Sequence, residues 1–333
     1  MVISERLGER KIINLLQNSL DVMPGIPVPF GEDVSAVCIN GDQLLVLKTD
    51  MLVGKTDVPP NMSLWQASRK AVVMNISDFA AKGVKPMAMV VSLGLPEELI
   101  TEENIKQIGE GLNAGATEYN AYIIGGDTNE ASDLVISISL IGTAKKDMLI
   151  LRSGAEPGDI VAVTGFFGKT SAGLKILCKQ LDASQGIRKT LVDSILMPHA
   201  RLKEGLELIR ANAVTACIDS SDGLAWSLHE IAKASNVGFL IKDLPIARET
   251  KEFAKMHRLD PAEMTLYGGE EYELVLTVKP KLWKRTQRFA EIAGGRLMPI
   301  GTVTAKKHVS LDRDGEKSMI EPRGWEHFKT IKP

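Results

Sequence analysis

Both halves of this chain alternate short apolar runs with longer stretches of helical period, which restricts it to folds where helices cover sheets. Leu7, Ile12, Ile13, Leu15, Leu16 and Leu20 recur at helical spacing, so the first twenty residues predict an amphipathic helix. Val34 to Ile39 and Leu44 to Lys48 flank Asn40-Gly41, a pair that accepts the positive φ of a tight hairpin, and the second strand is expected to end at Thr49-Asp50. A long helix follows from the N-cap Ser63 to the stop Gly83. Strands MAMVVSL and AYIIGG are separated by a helix from about Thr101 to Tyr119, and DLVISISLIGTA closes the first half.

The stretch ILRSGAEPGDIVAVTG turns the chain into a new strand, which places a boundary near residue 148 and predicts domains over 1–148 and 149–333. Beyond it KTSAGLKILCKQL, PHARLKEGLELIRA and GLAWSLHEIAKAS read as helices, and TACID, VGFLIKD and YELVLTV as strands. The expected class is two α+β or α/β domains. With 40 basic and 42 acidic residues the formal charge is -2, so nothing draws the chain to nucleic acid or an anionic membrane. Cys38, Cys178 and Cys217 are widely spaced with no C-x-x-C pair, as in a reducing cytoplasm. MVISERLGERK lacks an apolar signal core and no run of about 18 apolar residues occurs, so a cytoplasmic protein is expected.

The segment VTGFFGKTSAGL raises the question of a phosphate-cradling loop. Gly168-Lys169-Thr170 matches the second half of G-x-x-x-x-G-K-[ST], but Val163 stands where the first glycine is required, and its Cβ blocks the close approach of a phosphate. The five histidines form no H-E-x-x-H pair, and Lys169 occupies the first glycine of a would-be G-x-S-x-G elbow, so hydrolase constellations fail.

Acidic residues instead gather at strand ends and beside glycines: GED at 31–33, KTD at 48–50, NISD at 75–78, GGDT at 125–128 and DSSDG at 219–223. Singly, each is ordinary turn chemistry, and Asp222 serves equally well as a helix cap. Asp78 differs, because it lies among Val72, Val73, Ile76 and Phe79, where an unpaired carboxylate is costly. Carboxylates converging on one cleft need cations between them, and such oxygen ligands suit Mg²⁺ and phosphoryl chemistry.

On these motifs the sequence resembles the thiamine-monophosphate kinase family, within the superfamily that includes aminoimidazole ribonucleotide synthetase, selenophosphate synthetase and a hydrogenase-maturation protein. FGEDVSAV is similar to the family's G-D-D-A-A-V, KTDMLV to T-T-D-x-x-x-E, and NISDFAAKGVKP to N-x-S-D-x-x-A-M-G-x-x-P. GGDT, RSGAEPGD, DSSDGL, YGGEEYEL and EPRGWEHF complete the series in family order. The resemblance implies a two-domain aminoimidazole ribonucleotide synthetase-like fold, whose N-terminal mixed sheet pairs with its twin in a homodimer, followed by a C-terminal α/β domain. It implies that Asp33, Thr49, Asp50, Asp78, Asp127, Asp219 and Asp222 hold Mg²⁺, with Asp33, Asp78 and Asp127 central to catalysis. Gly126, Asp127, Arg152 and Ser221 would contact ATP, and Glu270 and Trp325 thiamine monophosphate. PGDIVAVTGFFGKTSAGL then matches a family segment that is a structural turn, which makes Lys169 an ordinary loop lysine.

Three departures are visible. Glu32 and Glu271 each replace an aspartate, and Asp57 stands where the bacterial pattern has a histidine associated with the substrate, with Lys55 nearby to compensate. Within the superfamily, HFKTIKP lacks the terminal cysteine of the hydrogenase-maturation protein, and Cys38 is not the N-terminal cysteine of selenophosphate synthetase. A purine-synthesis synthetase and a non-catalytic nucleotide-binding protein are the alternatives. The activity implied is direct in-line transfer of phosphoryl from ATP to thiamine monophosphate. That acceptor is a phosphate monoester with a second pKa of about 6, so it needs no general base at neutral pH.

Overall fold

The computed structural model describes residues 7–328. Its first half runs α1 (Glu9–Gln17), β1 (Ser35–Asn40), β2 (Gln43–Val53), a single turn α2 (Gly54–Asp57), α3 (Leu64–Lys82), β3 (Lys85–Leu95), α4 (Glu102–Glu118), β4 (Tyr122–Glu130) and β5 (Val135–Lys145). The five strands form one mixed sheet in the order β1-β2-β5-β3-β4, with β3 and β4 parallel and the other pairs antiparallel. The second half runs β6 (Ile160–Val163), α5 (Lys169–Lys179), α6 (Gln185–Leu196), α7 (Leu202–Arg210), β7 (Val214–Asp219), α8 (Leu224–Ser235) and β8 (Gly238–Ile241). It continues through α9 (Arg248–His257), α10 (Pro261–Tyr267), β9 (Leu274–Val278), α11 (Trp283–Ile292), β10 (Met298–Thr304), β11 (Val309–Arg313) and β12 (Glu316–Met319). A seven-stranded sheet orders these strands β12-β11-β8-β10-β6-β9-β7. Two layered sheet-and-helix units of α+β type result, as the alternation predicts.

Helix α3 joins them. Ser63 caps it by accepting from Gln66 N while the Gln66 side chain accepts from Ser63 N, and Gly83 ends it at φ 65°, a left-handed conformation that glycine adopts without strain. Between those stops the helix is buried on nearly all sides, because the first sheet packs on one flank and β7 and α7 on the other. Val72, Ile76 and Phe79 accordingly share one core with Ile136 and Ile138 of the first sheet and Leu274 and Leu276 of the second.

Four local expectations are corrected. Strand β2 does not end at Thr49-Asp50, because its ladder to β5 continues as far as Val53 opposite Val135. GGDT is not a loop; it extends β4 to Glu130, held by parallel pairing with β3. In the hairpin, Asn40 pairs with Gln43, so the turn residues are Gly41 and Asp42. The N-terminal helix spans Glu9–Gln17 only, and the part of that prediction covering residues 1–6 lies outside the described residues.

Candidate active site

Three carboxylates from distant parts of the sequence meet where the two sheets face α3. Asp33 precedes β1, Asp78 lies in the penultimate turn of α3 and Asp219 ends β7; each is buried, and one oxygen of each lies within 4.8 Å of the others. Ser77 Oγ donates to Asp219 Oδ2 at 2.6 Å. Buried lysines and an arginine answer the charge. Lys82 Nζ donates to Glu32 Oε2 at 2.8 Å and to the Cys217 carbonyl at 2.9 Å, and lies 3.0 Å from Asp33 Oδ2. Arg152 Nε donates to Asp33 Oδ1 at 2.8 Å, and its backbone N–H to both oxygens of Glu32. Lys48 Nζ sits 3.0 Å from Asp78 Oδ2 and 3.1 Å from Asp50 Oδ1.

The electrostatics differ from one carboxylate to the next. Burial pushes Asp33 up, but Lys82 and Arg152 outweigh it and hold the group below the usual range. Asp78 goes the other way: burial raises it well above that range, and Asp219, Asp50 and Asp33 add to the effect against Lys48. Asp219 is pushed up to about 6 by burial and by Asp33. A cluster in which two acids resist ionisation is short of positive charge. Asp33 Oδ2 makes the same point geometrically, since it is buried with no hydrogen bond, Lys82 approaching it as an ion pair only. Hard carboxylate oxygens with an unmet lone pair fit a divalent cation such as Mg²⁺.

The remaining predicted residues distribute around this cluster. Asp50 joins it through Lys48, and its N–H donates to Asn75 Oδ1. Thr49 is exposed, its hydroxyl accepting from Ser139 Oγ at 3.3 Å. Asp222 is not a helix cap, because Gly223 takes the N-cap of α8; burial, Glu9 and Asp219 push its carboxyl up to about 7. Ser221 is exposed and its carbonyl accepts from Glu270 N at 2.6 Å. Gly126 and Asp127 are exposed on edge strand β4, and Asp127 does not join the cluster. The row Asp50–Ile138–Val91–Gly126 sets them three strands from Asp50, roughly 14 Å at ordinary strand spacing.

A second group gathers Asp57 and Glu270. Lys70, 1% exposed, donates to the Asp57 carbonyl at 2.8 Å and pairs with Glu270, while the Asp57 carboxylate accepts from Val53 N at 2.7 Å. Lys55 is exposed, its N–H donating to Asp133. Trp325 is 38% exposed; its backbone N–H donates to the Asp222 carbonyl and its Cβ lies near Gly269, which seats the residue beside the DSSDG and YGGE loops. Lys48, Lys70 and Lys82 are not among the predicted site residues, although the signal that singles out Asp78, a charge amid apolar neighbours, applies equally to Lys70 and Lys82 on the same helix.

The GKT turn is also resolved. Gly168 caps α5 at φ 92°, and Glu271 Oε1 accepts from Gly168 N, Thr170 N and Thr170 Oγ1. An internal carboxylate occupies the helix N-terminus that a phosphate loop would offer to a nucleotide.

Comparison with known proteins agrees with this geometry. Residues 31–144 match the family model of the AIR synthase related protein N-terminal domain, and residues 156–314 that of its C-terminal domain. Thiamine-monophosphate kinase of Nitrosopumilus maritimus (strain SCM1) is 35% identical over 97% of this chain and 99% of its own length. That of Pyrococcus horikoshii is 38% identical over 90% of this chain and 91% of its own. A solved structure of AaThiL complexed with AMPPCP and TMP superposes with a TM-score of 0.84 at 27% identity, covering 98% of this chain and 100% of that one. With curated relatives matched nearly end to end, the chain belongs to the thiamine-monophosphate kinase family.

Proposed function

We propose that this protein transfers the γ-phosphoryl group of ATP directly to thiamine monophosphate, giving thiamine diphosphate and ADP. The observation that carries the reading is the convergence of Asp33, Asp78 and Asp219, drawn from three separate family motifs, into one buried cluster with oxygens within 4.8 Å of one another. Asp33, Asp78 and Asp219, with Asp50 and Asp222 at the margin, would hold Mg²⁺. When bound, that ion supplies charge neutralisation between two polyanions, which is the main barrier when a phosphate is the acceptor.

The chain's own residues divide the remaining work. Arg152, already fixed by Asp33, and Ser221 border the nucleotide side. Glu270 and Asp57, both partly exposed and tied to buried Lys70, would face the acceptor, and Trp325 offers a partly exposed indole to an aromatic ring. Lys70 places an ammonium beside Asp57, where the bacterial pattern has its histidine.

The reading includes a homodimer. Strand β4 is a sheet edge with Tyr122 and Ile124 about two-thirds exposed, the kind of edge a second strand covers. The carboxylate cluster lies toward the opposite edge, with Asp33 just before β1, so pairing of β4 with the partner's β1 edge, and of β1 with its β4, would bring Asp127 and Gly126 toward the partner's cluster. Thr49 lies on β2 in the same sheet. Division into domains near residue 148 fits the change from the first sheet, ending at Lys145, to the second, starting at Ile160. A cytoplasmic setting fits three unpaired cysteines, and no helix among the described residues is long and apolar enough to cross a membrane. The test is incubation with ATP, Mg²⁺ and thiamine monophosphate, following thiamine diphosphate and ADP in equal amounts. Turnover only with an aminoimidazole precursor would replace the reading by a purine-synthesis one.

A further inference from the structure

Lys48 stands against the carboxylates just described, and the charge balance of the site turns on it. Its Nζ contacts Asp78 Oδ2 at 3.0 Å and Asp50 Oδ1 at 3.1 Å, and its side chain is 18% exposed. Lys82 and Arg152 both engage Asp33, so Lys48 is the cation that the described ion pairs give to Asp50 and Asp78. On the other flank Asp33 Oδ2 is buried without a hydrogen bond, and oxygens of Asp33, Asp78 and Asp219 lie within 4.8 Å of one another, a spacing one cation can bridge. An ammonium holds a carboxylate oxygen near 3 Å, whereas Mg²⁺ draws it to about 2.0–2.1 Å and carries twice the charge. The two seek the same oxygens and repel each other.

We propose that Lys48 is a built-in counter-ion of this cluster. It keeps Asp50 and Asp78 in place without metal and competes with a divalent cation for them. Metal affinity is therefore low in the free protein, and the negative charge of a bound nucleotide tips the balance toward the divalent ion. The inference rests on the reading of the cluster as a metal site.

Mn²⁺ titrated into the nucleotide-free full chain, with free Mn²⁺ read by electron paramagnetic resonance, tests it without any turnover. Lys48→Met is expected to bind Mn²⁺ at least about tenfold tighter than the wild type, since a like charge a few ångströms away opposes binding by more than that even at an effective dielectric near 20. Lys48→Arg keeps the charge and is expected to bind like the wild type. In thermal melts, transfer from Mn²⁺ to chelator should lower the midpoint of Lys48→Met clearly more than that of the wild type. Unchanged or weaker Mn²⁺ binding by Lys48→Met overturns the inference and leaves the metal-site reading standing, while absence of binding in every form overturns both. If Lys48→Met does not fold, Lys48→Thr removes the same charge and is judged by the same titration.

Discussion

Asp78 is a carboxylate set inside an apolar helix, held by Lys48 on one side and crowded by Asp219, Asp50 and Asp33 on the other. Asparagine has the same shape and none of the charge. Asp78→Asn is therefore expected to lower kcat at least about a thousandfold, as when a group aimed at developing charge is removed, with an unchanged circular dichroism spectrum. A loss under tenfold would take Asp78 out of the metal site. Trp325 makes a contrasting case, since its backbone is tied to Asp222 while its indole is partly free. Trp325→Ala should raise KM for thiamine monophosphate roughly tenfold and leave KM for ATP nearly unchanged, in line with the loss of one aromatic stacking partner. Equal losses for both ligands would mark the indole as packing. Three of the five histidines have structural occupations: His199 meets Glu118, His229 the Ile320 carbonyl and His257 the Asp182 carbonyl.

At the level of elements, the N-terminus of α5 depends on one buried acid. Burial pushes Glu271 up to about 7, against Lys169 and the donors of Thr170. A carboxyl whose folded pKa exceeds its unfolded value stabilises the fold fully below the unfolded value, near 4.5, and loses that contribution as pH rises through the folded one. The loss between pH 5 and 8 is about 3 kcal/mol at most. Glu271→Gln cannot titrate, so the wild type should lose thermal stability relative to this variant as pH rises over that window. Parallel melting curves would contradict the assignment. The same element shows what the sequence makes legible. Val163 in place of the first glycine is enough to reject a phosphate loop, but nothing local reveals that Glu271, a hundred residues away, fills the helix end. Likewise Ser63 and Gly83 bound α3 from sequence alone, because caps are local chemistry. The extension of β2 to Val53 and of β4 through GGDT was hidden, because pairing with β5 and β3 overrides the turn preference of Asp and Gly. The cluster itself was legible only as separate acids; the cations that share it come from tertiary packing.

For the whole molecule, the proposed homodimer would let Asp127, exposed on edge strand β4, serve the partner's site. Asp127→Asn and Asp78→Asn are each expected to be inactive alone. Mixed and allowed to exchange subunits, they should recover about a quarter of wild-type activity, because half of the dimers are hybrids and one of the two sites in each hybrid is intact. No recovery despite proven exchange would return Asp127 to its own protomer's site.

Phosphoryl transfer from ATP to thiamine monophosphate is proposed as a single displacement at the carboxylate cluster. Asp33, Asp50 and Asp78 are engaged by Lys82, Arg152 and Lys48, and His199, His229 and His257 by hydrogen bonds away from the cluster, which favours direct transfer over a phosphoenzyme. ATP made chiral at its γ-phosphorus, incubated with the protein, Mg²⁺ and thiamine monophosphate, tests this most directly. Thiamine diphosphate with inverted configuration at the transferred phosphorus is the predicted result. Net retention, or no transfer to thiamine monophosphate at all, would contradict it.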